Sequence, residues 1–197
     1  MKSVRFCNKI GFYFTTFFEG LQSGIFAAGA NIVWIRVIDM KKQVWKTYAF
    51  WILFTEAVGF FSGWLTREST QIYTRVIEQP PLSPPAIVFP IVWTILFALM
   101  GIGAARIYLS PASGARSRSL RLFLLQLAFN FFWSIIFFNF QRFGFALLWL
   151  IVLWVLILLM LLSYRKVDRF AALLQIPYLL WVTFALYLNL GVWLLNR

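Results

Sequence analysis

78-EQPPLSPPAIVFPIVW-93 gathers five of the chain's seven prolines between Pro80 and Pro90, directly before a long apolar run. Proline fixes φ, has no N–H and holds the preceding residue extended, so 80-PPLSPP-85 predicts a stiff, non-helical connector. Pro84 and Pro85 suit the entry and first turn of the helix leading to Trp93. Pro90 is expected to loosen or kink that helix's opening turns. One reading is a rigid linker that ends one helix and starts the next. The sharper one is a preordered lid over the outer mouth of a helical bundle, able to close over a ligand at low entropic cost.

The apolar run at 86–109 is long enough to cross a bilayer core, which takes roughly 20 residues of helix. Working outward, comparable runs cover 46–65, 120–140, 145–164 and 170–195. The chain is 62% hydrophobic and 12% charged, with a mean hydropathy of +0.81, outside the range of a soluble domain. The runs are too long, and too poor in two-residue alternation, for a membrane barrel. The expectation is an all-α integral membrane protein, a bundle of five transmembrane helices within residues 40–197, in contact with the lipid bilayer.

The net charge of +12 is read by position. With five spans, one side collects ten cations: Lys41, Lys42 and Lys46, then Arg106, Arg116, Arg118 and Arg121, then Arg165, Lys166 and Arg169. The other side collects four: Arg67, Arg75, Arg142 and Arg197. The positive-inside rule puts the basic loops in the cytoplasm and the proline connector outside. Anionic headgroups account for such cations, so nucleic-acid binding is not expected.

The single cysteine, Cys7, forms no internal disulfide, and the chain has no histidine. Imidazole metal sites, histidine general bases and histidine-ligated haem are therefore excluded. The six acidic residues form no pair at a metal-ligand spacing, so neither a metal site nor a catalytic residue is assigned. Three readings stay open for residues 1–39: a stretch ahead of the true start at Met40, a cleaved leader ending near 28-AGA-30, or an extension lying at the interface.

Helix geometry groups the polar and aromatic residues. Gln126, Asn130, Trp133 and Phe137 fall on one face of the third span, and Phe89, Trp93, Phe97 and Met100 on one face of the second. Tyr178, Trp181, Ala185 and Asn189 make a third stripe, with Pro177 opening space beside Tyr178. Amides in hydrocarbon must find partners or line a cavity. Three such stripes describe a pocket for a flat, mostly apolar ligand with polar edges. The plainer alternative is packing or an interfacial belt, which suits Trp149 and Trp154, and Gln126 and Asn130 can instead be interhelical glue worth ~1 kcal/mol each. The GxxxG at 59-GFFSG-63 suits an internal seam or a dimer face, and Glu56 is expected to be a neutral, hydrogen-bonded acid facing the bundle.

Three motifs resemble one family. 84-PPAIVFPIVWTILFALMG-101, 126-QLAFNFFWSIIFF-138 and 177-PYLLWVTFALYLN-189 look like the second, third and fifth helices of the TspO/MBR family, bacterial relatives of the translocator protein or peripheral-type benzodiazepine receptor. The resemblance implies a five-helix bundle in a bacterial cell membrane. It also implies a pocket among the first, second, third and fifth helices for a tetrapyrrole such as porphyrin or haem, with no obligatory cofactor and transport or buffering as the role. The ligand-binding residues would be Phe89, Trp93, Phe97, Gln126, Asn130, Trp133, Tyr178, Trp181 and Asn189, under a lid loop of Tyr73, Pro80, Pro84 and Pro85. A homodimer is implied by resemblance alone.

The alternatives are a light-dependent porphyrin-degrading enzyme and a non-catalytic scaffold or lipid sensor. The family's first loop usually resembles W-Y-x-x-L-x-K-P-x-W-x-P-P, whereas 72-IYTRVIEQPPLSPP-85 has Ile72 and Leu82 for the tryptophans and Gln79 for the lysine. Loop tryptophans are implicated in the light-dependent chemistry, so an enzyme is not expected. The missing lysine removes a cation for a ligand carboxylate. Tyr187 has no cation at the spacing of the family's cholesterol pattern, so sterol binding is not expected either.

Overall fold

The computed structural model describes the backbone from Phe26 to Arg197 and the side chains from Lys42 onward. The readings that fall on residues 1–25, Cys7 included, lie outside the described residues. The chain divides into two compact units, Met1–Trp45 and Lys46–Arg197, and the second holds the packing and the cavity described below.

Among the described residues six helices run in order: α1 (Phe26–Val76), α2 (Val88–Leu109), α3 (Gly114–Ser134, prolonged by a π turn over Ile135–Asn139), α4 (Phe143–Val167), the single-turn α5 (Arg169–Leu173) and α6 (Ile176–Leu195). Among the described residues there is no strand. Five stretches of the described residues are long and apolar enough to cross a membrane: Lys42–Val76, Val88–Leu109, Gly114–Asn139, Phe143–Val167 and Arg169–Leu195. The number of spans and the all-α class agree with the sequence.

The boundaries differ where polarity was taken as an end signal. The first helix continues past residue 65 to Val76, because a helix needs satisfied side chains rather than apolar ones. Thr66 donates to the Ser62 carbonyl at 2.9 Å and Thr70 to the Thr66 carbonyl at 2.8 Å, so these hydroxyls are bonded within the helix. It stops just ahead of Pro80 and Pro81. Pro90 does not disturb α2. It is the third residue of that helix, in the first turn, where a backbone N–H has no intrahelical acceptor to lose. Pro84 and Pro85 sit before the helix, in a turn closed by Val88 N–H donating to the Pro85 carbonyl at 2.9 Å.

Small residues set the close approaches. A Cβ on Gly101 would lie 2.6 Å from the Ile52 Cα, so α1 and α2 touch backbone to backbone there. Thr55 fixes the contact by donating to the Phe97 carbonyl at 2.8 Å. α4 supplies a buried stripe, with Leu153, Ile157 and Met160 fully inaccessible. Its tryptophans tie it to its neighbours: Trp149 donates to the Phe129 carbonyl and Trp154 to the Thr183 hydroxyl, both at 2.8 Å.

At one end of the bundle, Asp168 caps α5 by accepting from the N–H groups of Phe170 (2.8 Å) and Ala171 (3.0 Å). Arg106, at the end of α2, donates to the same carboxylate through Nε at 3.0 Å, with Nη2 at 2.8 Å. Burial, the largest single influence, pushes the Asp168 carboxyl up. The Ala171 hydrogen bond, Arg106 and the Phe170 hydrogen bond together outweigh it and hold the group below its ordinary value. This joins the α2–α3 and α4–α5 ends. At the other end Asn139 donates to the Leu65 carbonyl at 3.2 Å, which sets α1 level with the end of α3.

Candidate functional site

Beneath the proline connector, α1, α2, α3 and α6 enclose a cavity of about 830 Å³, within the range of small-molecule sites. α2 contributes Phe89, Trp93 and Phe97, one per helical turn. α3 contributes Asn130, Trp133 and Phe137, and α6 contributes Trp181, Ala185 and Asn189. The π turn at the end of α3 holds an extra residue per turn, and Phe137 and Phe138 both reach the wall. The rings support one another: Trp93 and Phe97 have centroids 5.6 Å apart, Phe89 meets Trp181 edge-on at 5.9 Å, and Trp133 stacks on Phe137 at 5.2 Å.

Two residues expected in the pocket lie beneath it. Gln126 and Tyr178 are fully buried and off the wall. The Tyr178 hydroxyl donates to Gln126 Oε1 and accepts from Asn130 Nδ2, each at 2.9 Å. Interhelical bonding therefore claims Gln126 and Tyr178 and half-claims Asn130, whose side chain still borders the cavity. Pro177 is at the second position of α6, where its missing N–H costs nothing.

The lid also differs from expectation. Tyr73 is on α1 rather than in the loop, and packs on Phe137 and Phe138 at centroid distances of 5.4 and 5.3 Å. Pro84 and Pro85 border the cavity, as does Gln79, but Pro80 faces away from it. Pro80 is buried against Gly191, where a Cβ would lie 2.7 Å from its Cγ. The connector is pinned to α6 by hydrogen bonds as well. Asn196 exchanges a pair with the Glu78 backbone (2.9 and 3.1 Å), and Tyr187 donates to the Pro81 carbonyl at 2.8 Å. Leu82 turns the chain at φ 67°, with the Ser83 N–H donating to the Pro80 carbonyl at 3.3 Å. Proline followed by a positive φ is the pattern of a type II turn.

The resemblance placed the first helix at the pocket, but its wall residues were not named from the sequence. Gly59, Ser62, Gly63, Thr66 and Thr70 line it. A Cβ on Gly59 would strike the Phe97 ring, whereas one on Gly63 would meet nothing within 4 Å. The GxxxG thus hollows the cavity. Hydroxyls at 62, 66, 70 and 74 recur every four residues, a signal available in the sequence. The hydroxyls of Thr66 and Thr70 are donated within the helix, so their oxygens keep lone pairs with which to accept. Glu56 is half-buried and makes no side-chain hydrogen bond among the described residues, contrary to expectation.

Two polar atoms of cavity-lining residues are buried without partners among the described residues: Trp133 Nε1, a donor, and Asn189 Oδ1, an acceptor. The Asn189 amide is oriented by its own Nδ2, which donates to the Phe143 carbonyl at 3.1 Å.

The TspO/MBR family model matches residues 51–194, all but the edges of this bundle. The chain belongs to the TspO/MBR family. It is 37% identical over 161 residues to the tryptophan-rich protein TspO of Chlorobaculum tepidum, covering 80% of this chain and 99% of that one. It is 36% identical over 147 residues to the protein of the same name from Archaeoglobus fulgidus, covering 74% and 94%. The bovine (Bos taurus) translocator protein is 30% identical over 141 residues, covering 71% and 83%. Family membership supports a membrane protein of translocator or receptor type. Against the TspO/MBR loop pattern, Ile72 is exposed on α1 and Leu82 is exposed at the turn, so neither departure touches the cavity, while Gln79 does.

Proposed function

We propose that this TspO/MBR protein binds a tetrapyrrole, porphyrin or haem, or a comparably flat lipophilic molecule, in the cavity among α1, α2, α3 and α6. Its role is to hold or pass that molecule at the membrane rather than to transform it. The unpaired Trp133 N–H and Asn189 carbonyl carry the reading. An unsatisfied buried polar group costs about 1–3 kcal/mol, and because both residues line the cavity, a slight turn of each side chain toward a ligand's polar edge would relieve it. Trp93, Phe97 and Trp181 offer stacking surfaces. With no histidine in the chain, haem would be held by its ring faces and edges rather than by imidazole ligation. The relatives bear translocator or tryptophan-rich names rather than enzyme names, in keeping with binding over turnover. The arginine-rich α2–α3 and α4–α5 ends would face the cytoplasm of a bacterial cell, with the proline connector outside.

The test is a dark titration of the full chain in mild detergent with protoporphyrin IX, following tryptophan fluorescence, beside Trp133→Phe. That variant keeps a ring and removes only the donor. Saturable quenching, weakened about three- to tenfold in Trp133→Phe, is expected. Linear quenching, identical in both proteins, would leave a lipid-filled scaffold as the better account.

A further inference from the structure

Among the described residues, Arg67 is the one charged residue on the cavity wall. The helix places it two residues past Leu65, which Asn139 sets level with the end of α3, so the guanidinium belongs to the rim rather than to the hydrocarbon interior. Its side chain is 58% exposed and rests over the Trp64 ring with the guanidinium carbon 5.4 Å from the centroid. Its only acidic contact among the described residues is Glu68, the next residue along, at 3.5 Å and itself 83% exposed. Such a pair is worth little and leaves most of the guanidinium's five donors free. Among the described residues no acid lines the cavity to compete for them.

The cavity is thus amphipathic with a sign: aromatic inside, cationic at one point of its rim. Gln79, where the family pattern has its lysine, is neutral and borders the same cavity. We infer that the ligand carries a carboxylate, and that Arg67 receives it, doing from α1 what a connector lysine would otherwise do. This rests on the reading that the cavity takes a flat apolar ligand. It adds that the molecule is an anionic amphiphile, oriented with its acid edge toward α1 and its apolar body toward Trp93 and Phe97.

The experiment compares protoporphyrin IX with its dimethyl ester, which keeps the ring and removes the charge. The full chain and the Arg67→Gln and Arg67→Lys variants are titrated in non-ionic detergent, with folding checked by circular dichroism. Wild type should prefer the free acid by about three- to tenfold, as a charge-assisted hydrogen bond at a partly exposed site allows. Arg67→Gln should abolish the preference by weakening the acid alone, with the ester unchanged within about twofold, and Arg67→Lys should restore part of it. Raising the salt to about 0.5 M should shrink the wild-type preference. Equal binding of acid and ester by wild type, or a preference that survives Arg67→Gln, would overturn the assignment while leaving the cavity reading intact. If neither porphyrin binds saturably to wild type, the cavity reading falls and takes this inference with it.

Discussion

Replacing Tyr178 with phenylalanine removes a single oxygen and keeps the ring, which isolates the hydrogen-bonded floor under the cavity. The hydroxyl donates to Gln126 and accepts from Asn130 at 2.9 Å each, so its loss strands one acceptor and one donor. In a soluble interior each stranded group costs about 1–3 kcal/mol. In membrane bundles a hydrogen bond averages about 0.6 kcal/mol and reaches about 1.7, because the unfolded chain in the bilayer also finds partners. The two losses are not equal here. Asn130 borders the cavity and can turn its amide toward whatever fills it, whereas Gln126 is sealed, with only a 3.8 Å contact from Nε2 to the Met100 sulfur. The expected cost is therefore about 1–2 kcal/mol, most of it from Gln126. Unfolding in mixed micelles of increasing sodium dodecyl sulfate, read by far-ultraviolet circular dichroism, measures it. Gln126→Leu and the double variant should be run beside it. Removing both partners leaves fewer stranded groups, so the double variant should lose less than the sum of the singles by about 1 kcal/mol. Strict additivity, or a Tyr178→Phe cost below about 0.3 kcal/mol, would refute this account of the floor.

Three other substitutions probe the remaining parts. Gly59→Leu would drive a side chain against Phe97 into the cavity, and should weaken tetrapyrrole binding more than about tenfold in titration while helix content stays intact. Asp168→Asn should lower the melting temperature at neutral pH by removing the charge that Arg106 meets. Because the folded carboxyl lies below its ordinary 3.8, that stabilisation is present above about pH 5 and lost as pH falls through the folded value, so melting curves of variant and wild type should draw together as pH is lowered past 3.8. Leu82→Asn should raise stability by about 0.5–1 kcal/mol in the same denaturation assay, since asparagine tolerates the left-handed φ better and the exposed leucine gives up little packing.

The class of fold was legible because it depends on run length alone, and each span needed only enough consecutive apolar residues. Helix ends were less legible. Arg67 and Glu68 resemble a stop, yet nothing in residues 66–76 prevents the next backbone hydrogen bond, and the prolines beyond do. Three walls of the cavity showed as aromatic stripes, because a tryptophan or an asparagine in a span is conspicuous. The fourth did not. Its glycines contribute by lacking side chains, and its threonines are small and common, so α1 read as a packing seam. What periodicity could not supply was depth. Asn130 and Gln126 share a face one turn apart, but only the structure separates the wall residue from the one sealed beneath it.

Depth also divides the energetic work of the cavity. The stranded Trp133 donor and Asn189 acceptor are buried, so a group that bonds them would recover part of the desolvation cost they carry. Aromatic surface on α2, α3 and α6 adds an apolar contribution that scales with the area covered and tolerates many ring shapes. Arg67 works in more than half exposure, where an ion pair returns little and salt screens it. On the proposed reading, affinity would therefore reside in the walls, and discrimination at the rim. The pinned connector fits that division. With Asn196, Tyr187 and Gly191 holding it against α6, the rim geometry is set before a ligand arrives, and even a weak charge contact there can sort acid from ester.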